Sequence, residues 1–360
     1  MSKDYYIIPI FVPHFGCPHD CVFCNQRRIT GLSTDVTTDY VRRTIEEHLS
    51  TFPKRKITVE VAFYGGSFTG IPMDIQRELL AVPLEYKNKG LIDAIRLSTR
   101  PDYIDDNILD MLKEYKVDTI ELGVQSLNNE VLIKSGRGHD SKKVYMASKL
   151  IKKHNFNLGL QMMIGLPGDS REKSIFTAKE FIKLEPYCVR IYPTLVIKDT
   201  YLEKMYDKRE YIPLSLEEAI DISTDLLMLF EHHDINVIRI GLQPTENINF
   251  GKDVVAGPFH PSFRQLVESN KYKILLDKFL DSLRTNYTGM DLTININQKS
   301  ISNLVGQKSS NIKYFKEKYN IRDIKVFRKD LPKEMIQLSI GNSLFNLNMK
   351  YLASEYVKQI

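Results

Sequence analysis

Cys17, Cys21 and Cys24 stand within eight positions, in the run His14-Phe15-Gly16-Cys17-Pro18-His19-Asp20-Cys21-Val22-Phe23-Cys24-Asn25. Thiolates at the spacing C-x3-C-x2-C on a short loop can converge on one face of a cubane iron–sulfur cluster. Three ligands, unlike the four of a closed electron-transfer site, leave one iron free for a group from solution. Two other readings of this spacing stay open. One is structural zinc with His14 or His19 as fourth ligand; the other is chance crowding of buried thiols. The fourth cysteine, Cys188, lies in an apolar run and reads as a core residue. Four cysteines in 360 residues make no disulfide framework, which suits a reducing, cytoplasmic setting.

Such a loop needs strands to carry it. Apolar runs without a period-2 polar face occur at Tyr6–Val12, Ile57–Tyr64, Ala94–Ser98, Thr119–Val124, Leu158–Ile164 and Cys188–Pro193. Amphipathic stretches such as Thr38–Leu49, Asp105–Tyr115, Lys142–His154 and Arg171–Leu184 separate them. Alternation of this kind predicts a parallel sheet with right-handed crossovers and its functional loops at the strand carboxyl ends. A long helix over Leu216–His233 and an apolar run Ile235–Ile240 follow, then a Gly/Pro-rich loop at Gly251–Pro261 and a helix to about Arg284. Apolar residues make up 42% and charged residues 26%, which excludes a disordered or fibrous chain. No run of 18 apolar residues occurs, so no membrane-spanning helix is expected. The N-terminal run is read as a buried strand and not a signal peptide.

The C-x3-C-x2-C motif after a first strand, with the aromatic Phe23 before its last cysteine, resembles the radical S-adenosylmethionine superfamily. The resemblance implies a [4Fe–4S] cluster held by Cys17, Cys21 and Cys24. It further implies S-adenosylmethionine on the free iron, its reductive cleavage to a 5′-deoxyadenosyl radical, and an electron donor such as a flavodoxin or ferredoxin. Gly65-Gly66-Ser67, ending the second predicted strand, resembles the motif that holds the amino group of that cofactor. By the same resemblance Ser98, Gln125, Arg137 and Gln161 are candidates to hold its ribose or carboxylate. The segments Leu97–Tyr103, Glu121–Ser126 and Val189–Ile197 also resemble the elongator catalytic subunit family. That family modifies the wobble uridine of tRNA using acetyl-CoA and a separate acetyltransferase domain. Two features depart from it: the cysteine spacing is more compact, and residues 266–360 do not read as an acetyltransferase domain.

The remaining signal is charge. Residues 288–360 hold 12 Lys/Arg against 6 Asp/Glu, while residues 1–287 are close to neutral, as in a segment that meets a polyanion. The tail reads as strand Asp291–Asn297, helices Ser300–Val305 and Asn311–Tyr319, strands Asp323–Arg328 and Met335–Ile340, and a helix near Tyr351–Lys358. That β-α-α-β-β-α order, with the turn Gly306-Gln307-Lys308-Ser309 between its first helices, resembles a KH domain, whose GxxG turn clamps RNA backbone. Ser309 replaces the second glycine, and Lys308 and Lys313 supply charge.

The expectation is an incomplete (β/α)6 radical SAM barrel over residues 1–265, a connecting helix over 266–287, and a basic KH-like α+β domain over 288–360. Its expected activity is radical modification of an RNA, tRNA or rRNA. Arg190 and Tyr192 on the sixth strand are the candidate catalytic or substrate-contacting residues, with Arg239 and His260 behind them. A radical enzyme acting on a small molecule and a non-catalytic RNA-binding protein with a structural metal are the alternatives.

Overall fold

The computed structural model describes residues 4–12, 21–25, 36–242 and 248–360. It divides into two compact units, Met1–Ser215 with Ile235–Phe259, and Leu216–Asp234 with His260–Ile360.

The first unit contains β1 (Tyr5–Val12), β2 (Thr58–Gly65), β3 (Ala94–Thr99), β4 (Thr119–Gln125), β5 (Asn157–Ile164), β6 (Cys188–Pro193), β7 (Val196–Ile197), β8 (Asn236–Ile240) and β9 (Val254–Ala256). One sheet runs in the order β1-β2-β3-β4-β5-β6-β8, parallel throughout. The expected six strands lie within a residue of their predicted spans, and the apolar run at 235–240 adds a seventh. β1 and β8 stay as edges, so the sheet is an incomplete barrel. Thr119–Val124 is buried at every position, as expected for a parallel strand covered on both faces. Between strands, helices start where the chain supplies a cap: Thr37, Asp105, Asp140 and Ser170 each accept an N–H from the first turn. The helix Met73–Asn88 was not among the predicted elements; Pro83, a breaker by its sequence, sits inside it. Because all seven strands point the same way, their carboxyl ends open at one mouth. β7 and β9 pair antiparallel as a separate ribbon.

The second unit holds β10 (Asp291–Ile296), β11 (Asp323–Arg328), β12 (Met335–Ile340) and β13 (Ser343–Asn348) in the order β11-β10-β12-β13. β10 and β11 are parallel and the other two pairs antiparallel, a mixed sheet. One face of it, with Leu292, Ile294, Ile296, Ile324, Ile336, Leu338 and Leu347, is buried. The helix Phe263–Ser282 packs on Leu216–His232, which also packs on Met349–Val357.

Two expectations change. The tail has a further strand, β13, between its last predicted strand and its final helix, so the order departs from β-α-α-β-β-α. The two-residue turn Gly341-Asn342 between alternating runs is the hairpin signal for it. The unit division also does not coincide with the expected boundaries at 265 and 287, since Leu216–Asp234 joins the second unit. No helix among the described residues is long and apolar enough to cross a membrane.

Candidate functional site

Four charged residues sit inside otherwise apolar strands, where each alone would be costly. Glu60 on β2, Arg96 on β3, Glu121 on β4 and Arg190 on β6 are each at most 6% exposed. They offset that cost by pairing across strands. Arg96 donates from Nε to Glu60 Oε2 at 2.8 Å and from Nη1 to Glu121 Oε1 at 2.6 Å. Arg190 donates from Nε to Glu121 Oε2 at 2.6 Å, and from Nη2 to Glu121 Oε1 at 2.9 Å and to the Tyr64 hydroxyl at 2.7 Å. Gln161 on β5 gives its amide to Glu121 Oε2 at 2.8 Å and to Ser98 Oγ at 3.3 Å. The Tyr5 hydroxyl donates to Glu60 Oε2 at 2.7 Å. Two carboxylates thus face two guanidinium groups. Burial would raise the Glu121 carboxyl, but the guanidinium groups of Arg190 and Arg96 reverse that and hold it below its usual range. Gly159 makes room for this row, because a Cβ there would fall 2.7 Å from Glu121 Cγ.

Toward the mouth, the strand ends carry a second group. Cys21 is buried and Cys24 half-buried, and the Cys24 N–H donates to the Cys21 carbonyl at 2.9 Å, a tight turn. The Arg137 Nη1 lies 3.3 Å from Cys21 Sγ and the Arg100 Nη1 3.8 Å. Arg100 also forks onto Asp102 with two contacts of 2.9 Å and donates to the Arg137 carbonyl at 2.6 Å, while Arg137 donates to the Gly123 carbonyl. Gln125, the last residue of β4, takes φ +71 after a register shift in the strand, a conformation non-glycine residues seldom adopt. Burial pushes His139 down to about 4, and the neighbouring Arg137 charge adds to that.

The Cys21 sulfur flanked by two guanidinium groups, with Cys24 in the same tight turn, is a donor set for an anionic iron–sulfur centre. Beside them, Gln125 Oε1 and Arg137 Nε are buried with no hydrogen-bond partner, and groups of that kind call for a ligand. The residues present therefore fit the group. Cys17, with His14 and His19, lies outside the described residues. Cys188 sits well away from this set in role: its thiol is 1% exposed, and burial, then Glu121, pushes it up to about 11, so it stays protonated.

The remaining sequence candidates fall as follows. Gly65 ends β2 with φ +100, Gly66 donates to the Val12 carbonyl at 3.2 Å, and Ser67 is buried at the start of a short turn. Ser98 and Gln161 belong to the buried row. Arg190 does too, while Tyr192, two residues on and half-buried, shares its face of β6. Sequence reasoning missed Arg100, which follows β3, and Glu60, Arg96 and Glu121 inside the strands. A charged residue in the middle of an apolar strand was the available signal.

In the second unit, the turn at Gly306 carries φ +78, and Lys308 and Ser309 stand in the left-handed region at +51 and +59. A Cβ on Gly306 would meet Ser310 Oγ at 2.4 Å and Ser269 Oγ at 3.0 Å, so glycine is needed for space as well as for φ. Asn311, buried, pins the turn by donating to the carbonyls of Ser269 at 2.9 Å and Leu304 at 3.0 Å. Gln307, Lys308, Ser309 and Lys313 are exposed, and neither lysine takes an ion pair among the described residues. Lys316 instead pairs with Asp323, and Lys318 with Asp277 and Asp281.

Comparison with known proteins adds to this geometry. Residues 11–179 match a family model described as the Radical SAM superfamily, and residues 186–273 match the Radical_SAM C-terminal domain. An uncharacterised protein of Methanocaldococcus jannaschii is 31% identical over 227 residues, 59% of this chain and 68% of that one. A tRNA uridine(34) acetyltransferase of Methanocaldococcus infernus is 28% identical over 261 residues, 60% of this chain but only 48% of that protein. The Heme chaperone HemW of Lactococcus lactis is 26% identical over 259 residues, 69% of this chain and 65% of that one. Among solved structures, archaeal Methanocaldococcus infernus Elp3 with an N-terminal deletion superposes with a TM-score of 0.59 at 22% identity. That match covers 78% of this chain and 64% of the other, and shows a shared fold.

Proposed function

The chain belongs to the radical SAM superfamily, whose members use a [4Fe–4S] cluster and S-adenosylmethionine, and from that premise we propose that it modifies an RNA, tRNA or rRNA. The observation that carries the RNA part is the exposed Lys308 and Lys313 on and beside the pinned Gly306–Ser309 turn, within a tail of excess positive charge. Similarity to a tRNA-directed relative supports it.

Cys17, Cys21 and Cys24 hold the cluster in this reading, with Arg100 and Arg137 balancing its negative charge. Bound cluster and S-adenosylmethionine together supply a carbon radical able to abstract hydrogen from an unactivated position. Gly65, Gly66 and Ser67 let backbone approach the cofactor. Gln125 and Arg137 turn their unpartnered buried atoms to its polar groups. Gln161 spends its amide N–H groups on Glu121 and Ser98, which leaves its oxygen for a ribose hydroxyl, with Ser98 beside it. Arg190, held by Glu121 and Tyr64 through Nε and Nη2, positions that floor, and with Tyr192 beside it is the candidate to contact substrate. A flavodoxin or ferredoxin supplies electrons.

With reductant and S-adenosylmethionine, anaerobic protein is expected to release 5′-deoxyadenosine, measured by chromatography. Arg137→Ala should weaken S-adenosylmethionine binding about 10- to 100-fold, since hydrogen bonds to charged groups contribute about 1.5–3 kcal/mol. S-adenosylhomocysteine as sole product would overturn the radical reading. For RNA, the measurement is retention against salt. Removing Lys308 and Lys313 together should reduce the log–log salt slope by roughly 1.4, about 0.7 for each phosphate contact on a single strand. Ser309→Gly should bind RNA at least as well, because the position already adopts φ +59. The likeness to a heme chaperone favours one second reading, a radical SAM protein handling a small molecule, for which no variant would retain RNA.

A further inference from the structure

We propose that the open face of the second unit's sheet is a base-reading platform for single-stranded RNA, separate from the Gly306–Ser309 turn. It rests on the RNA reading above and goes further, by placing base contact on strands that reading does not use.

Alternation settles which residues share this face. Leu292, Ile294 and Ile296 of β10 and Ile336, Leu338 and Ile340 of β12 point into the core, so Thr293, Asn295, Gln337 and Ser339 point away. Register then aligns them with the outer strands. Asn295 stands beside Phe327 of β11 and Gln337 of β12, and Gln337 beside Asn346 of β13. The row Phe327–Asn295–Gln337–Asn346 crosses the whole sheet, about 14 Å at the usual strand spacing. A second row, Lys325–Thr293–Ser339–Leu344, lies next to it.

The chemistry of these rows is unusual for a solvated sheet face. Phe327 is 52% exposed and Leu344 58%. Three amide side chains line up beside the ring, and the Gln337 amide donates to Asn346 Oδ1 at 3.0 Å, which orients both. Lys329 Nζ reaches Gln337 Oε1 at 2.6 Å from the loop after β11. Lys325 shares the ring's face of β11, and Lys329 reaches that face from the loop after it; both are exposed. An exposed aromatic can stack a splayed base, amides can read its edges, and lysines can follow the phosphates, as on other four-stranded RNA-binding sheets. Charge selects the occupant: the surplus of positive residues in 288–360 complements a polyanion and opposes a second copy of the same face.

The test uses the full chain and a fluorescent single-stranded RNA of about 12 nucleotides, within the span one small domain contacts. Phe327→Ala is expected to weaken binding about tenfold at fixed salt with an unchanged salt slope, the mark of lost stacking. Phe327→Tyr should bind like the parent. Lys325→Ala with Lys329→Ala should lower the slope instead. Equal affinity of Phe327→Ala and parent, with the Lys308/Lys313 variant still weakened, would overturn the platform and leave the RNA reading standing. No RNA binding by the parent even at low salt would overturn both. A parent dimer that Phe327→Ala dissociates would assign the face to a second copy and overturn the proposal. Thermal melting of the variants, unchanged for an exposed position, separates lost contact from lost fold.

Discussion

Anaerobic reconstitution is expected to load about four irons per chain, and Cys17→Ala, Cys21→Ala or Cys24→Ala to load essentially none. In the proposed site the effect is all or nothing, because three thiolates would wrap one face of the cubane and two would not hold it against solvent. Cys188→Ala is the control from the same chain. Its thiol is buried beside Glu121 and stays protonated, so iron content should not change. Iron and acid-labile sulfide analysis, with the brown absorbance of the cluster, measures both. A colourless protein carrying one zinc would overturn the radical assignment. Arg100 and Arg137 make a graded companion: Arg137→Ala should retain the irons yet expose the cluster more readily to oxygen, since it removes a guanidinium 3.3 Å from Cys21 Sγ.

Glu121→Ala is expected to cost about 3–5 kcal/mol, the range for breaking a buried ion pair from one side. That is a large share of the roughly 5–15 kcal/mol that keeps a domain folded. Arg96 and Arg190 would be left with buried, unbalanced charge. Replacing Glu60, Arg96, Glu121 and Arg190 together by apolar residues should recover much of the loss, because no charge is then left buried without its partner, which distinguishes charge imbalance from lost volume. The row also sets an acid limit. The folded Glu121 carboxyl titrates below its unfolded value, so its contribution is complete above the ordinary carboxylate range. It is lost as pH falls from the ordinary carboxylate range through the depressed folded value. Glu121→Gln should therefore be less stable at neutral pH and show a flatter acid limb, read from unfolding midpoints against pH. Exposed pairs such as Arg42–Glu85 should contribute little on the same scale.

Much of the barrel was legible because its signals are local. Unbroken apolar runs marked β1 to β6, and three cysteines in one loop suggested a cluster site, of which Cys21 lies beside Arg100 and Arg137 while Cys17 is outside the described residues. Arg190 was singled out from its place on a strand, but its partners were not. Glu60, Arg96 and Glu121 are 36, 25 and 69 positions from the residues they bind, and only the parallel register brings them into one row. Each sits in a short apolar run, in Val59-Glu60-Val61, Ile95-Arg96-Leu97 and Ile120-Glu121-Leu122, where opposite charges must find one another. β13 was missed because its apolar residues are sparse, although Gly341-Asn342 announces a hairpin. The membership of Leu216–Asp234 in the second unit depends on which helices arrive to cover it, which no local pattern encodes.

That interleaving has a consequence for synthesis on the ribosome. Leu216–His232 emerges before β8, the strand that completes the first sheet, and before the helix Phe263–Ser282 that packs on it. At about 5–20 residues per second, several seconds pass with both the edge of β6 and the apolar side of that helix, including Leu226, Leu229 and Phe230, waiting for partners. The nascent chain cannot finish one unit and then begin the other. Shortening it at residue 265 would leave Leu216–His232 without the helix Phe263–Ser282, and moving the tail onto another barrel by simple end-to-end fusion would leave its first helix behind.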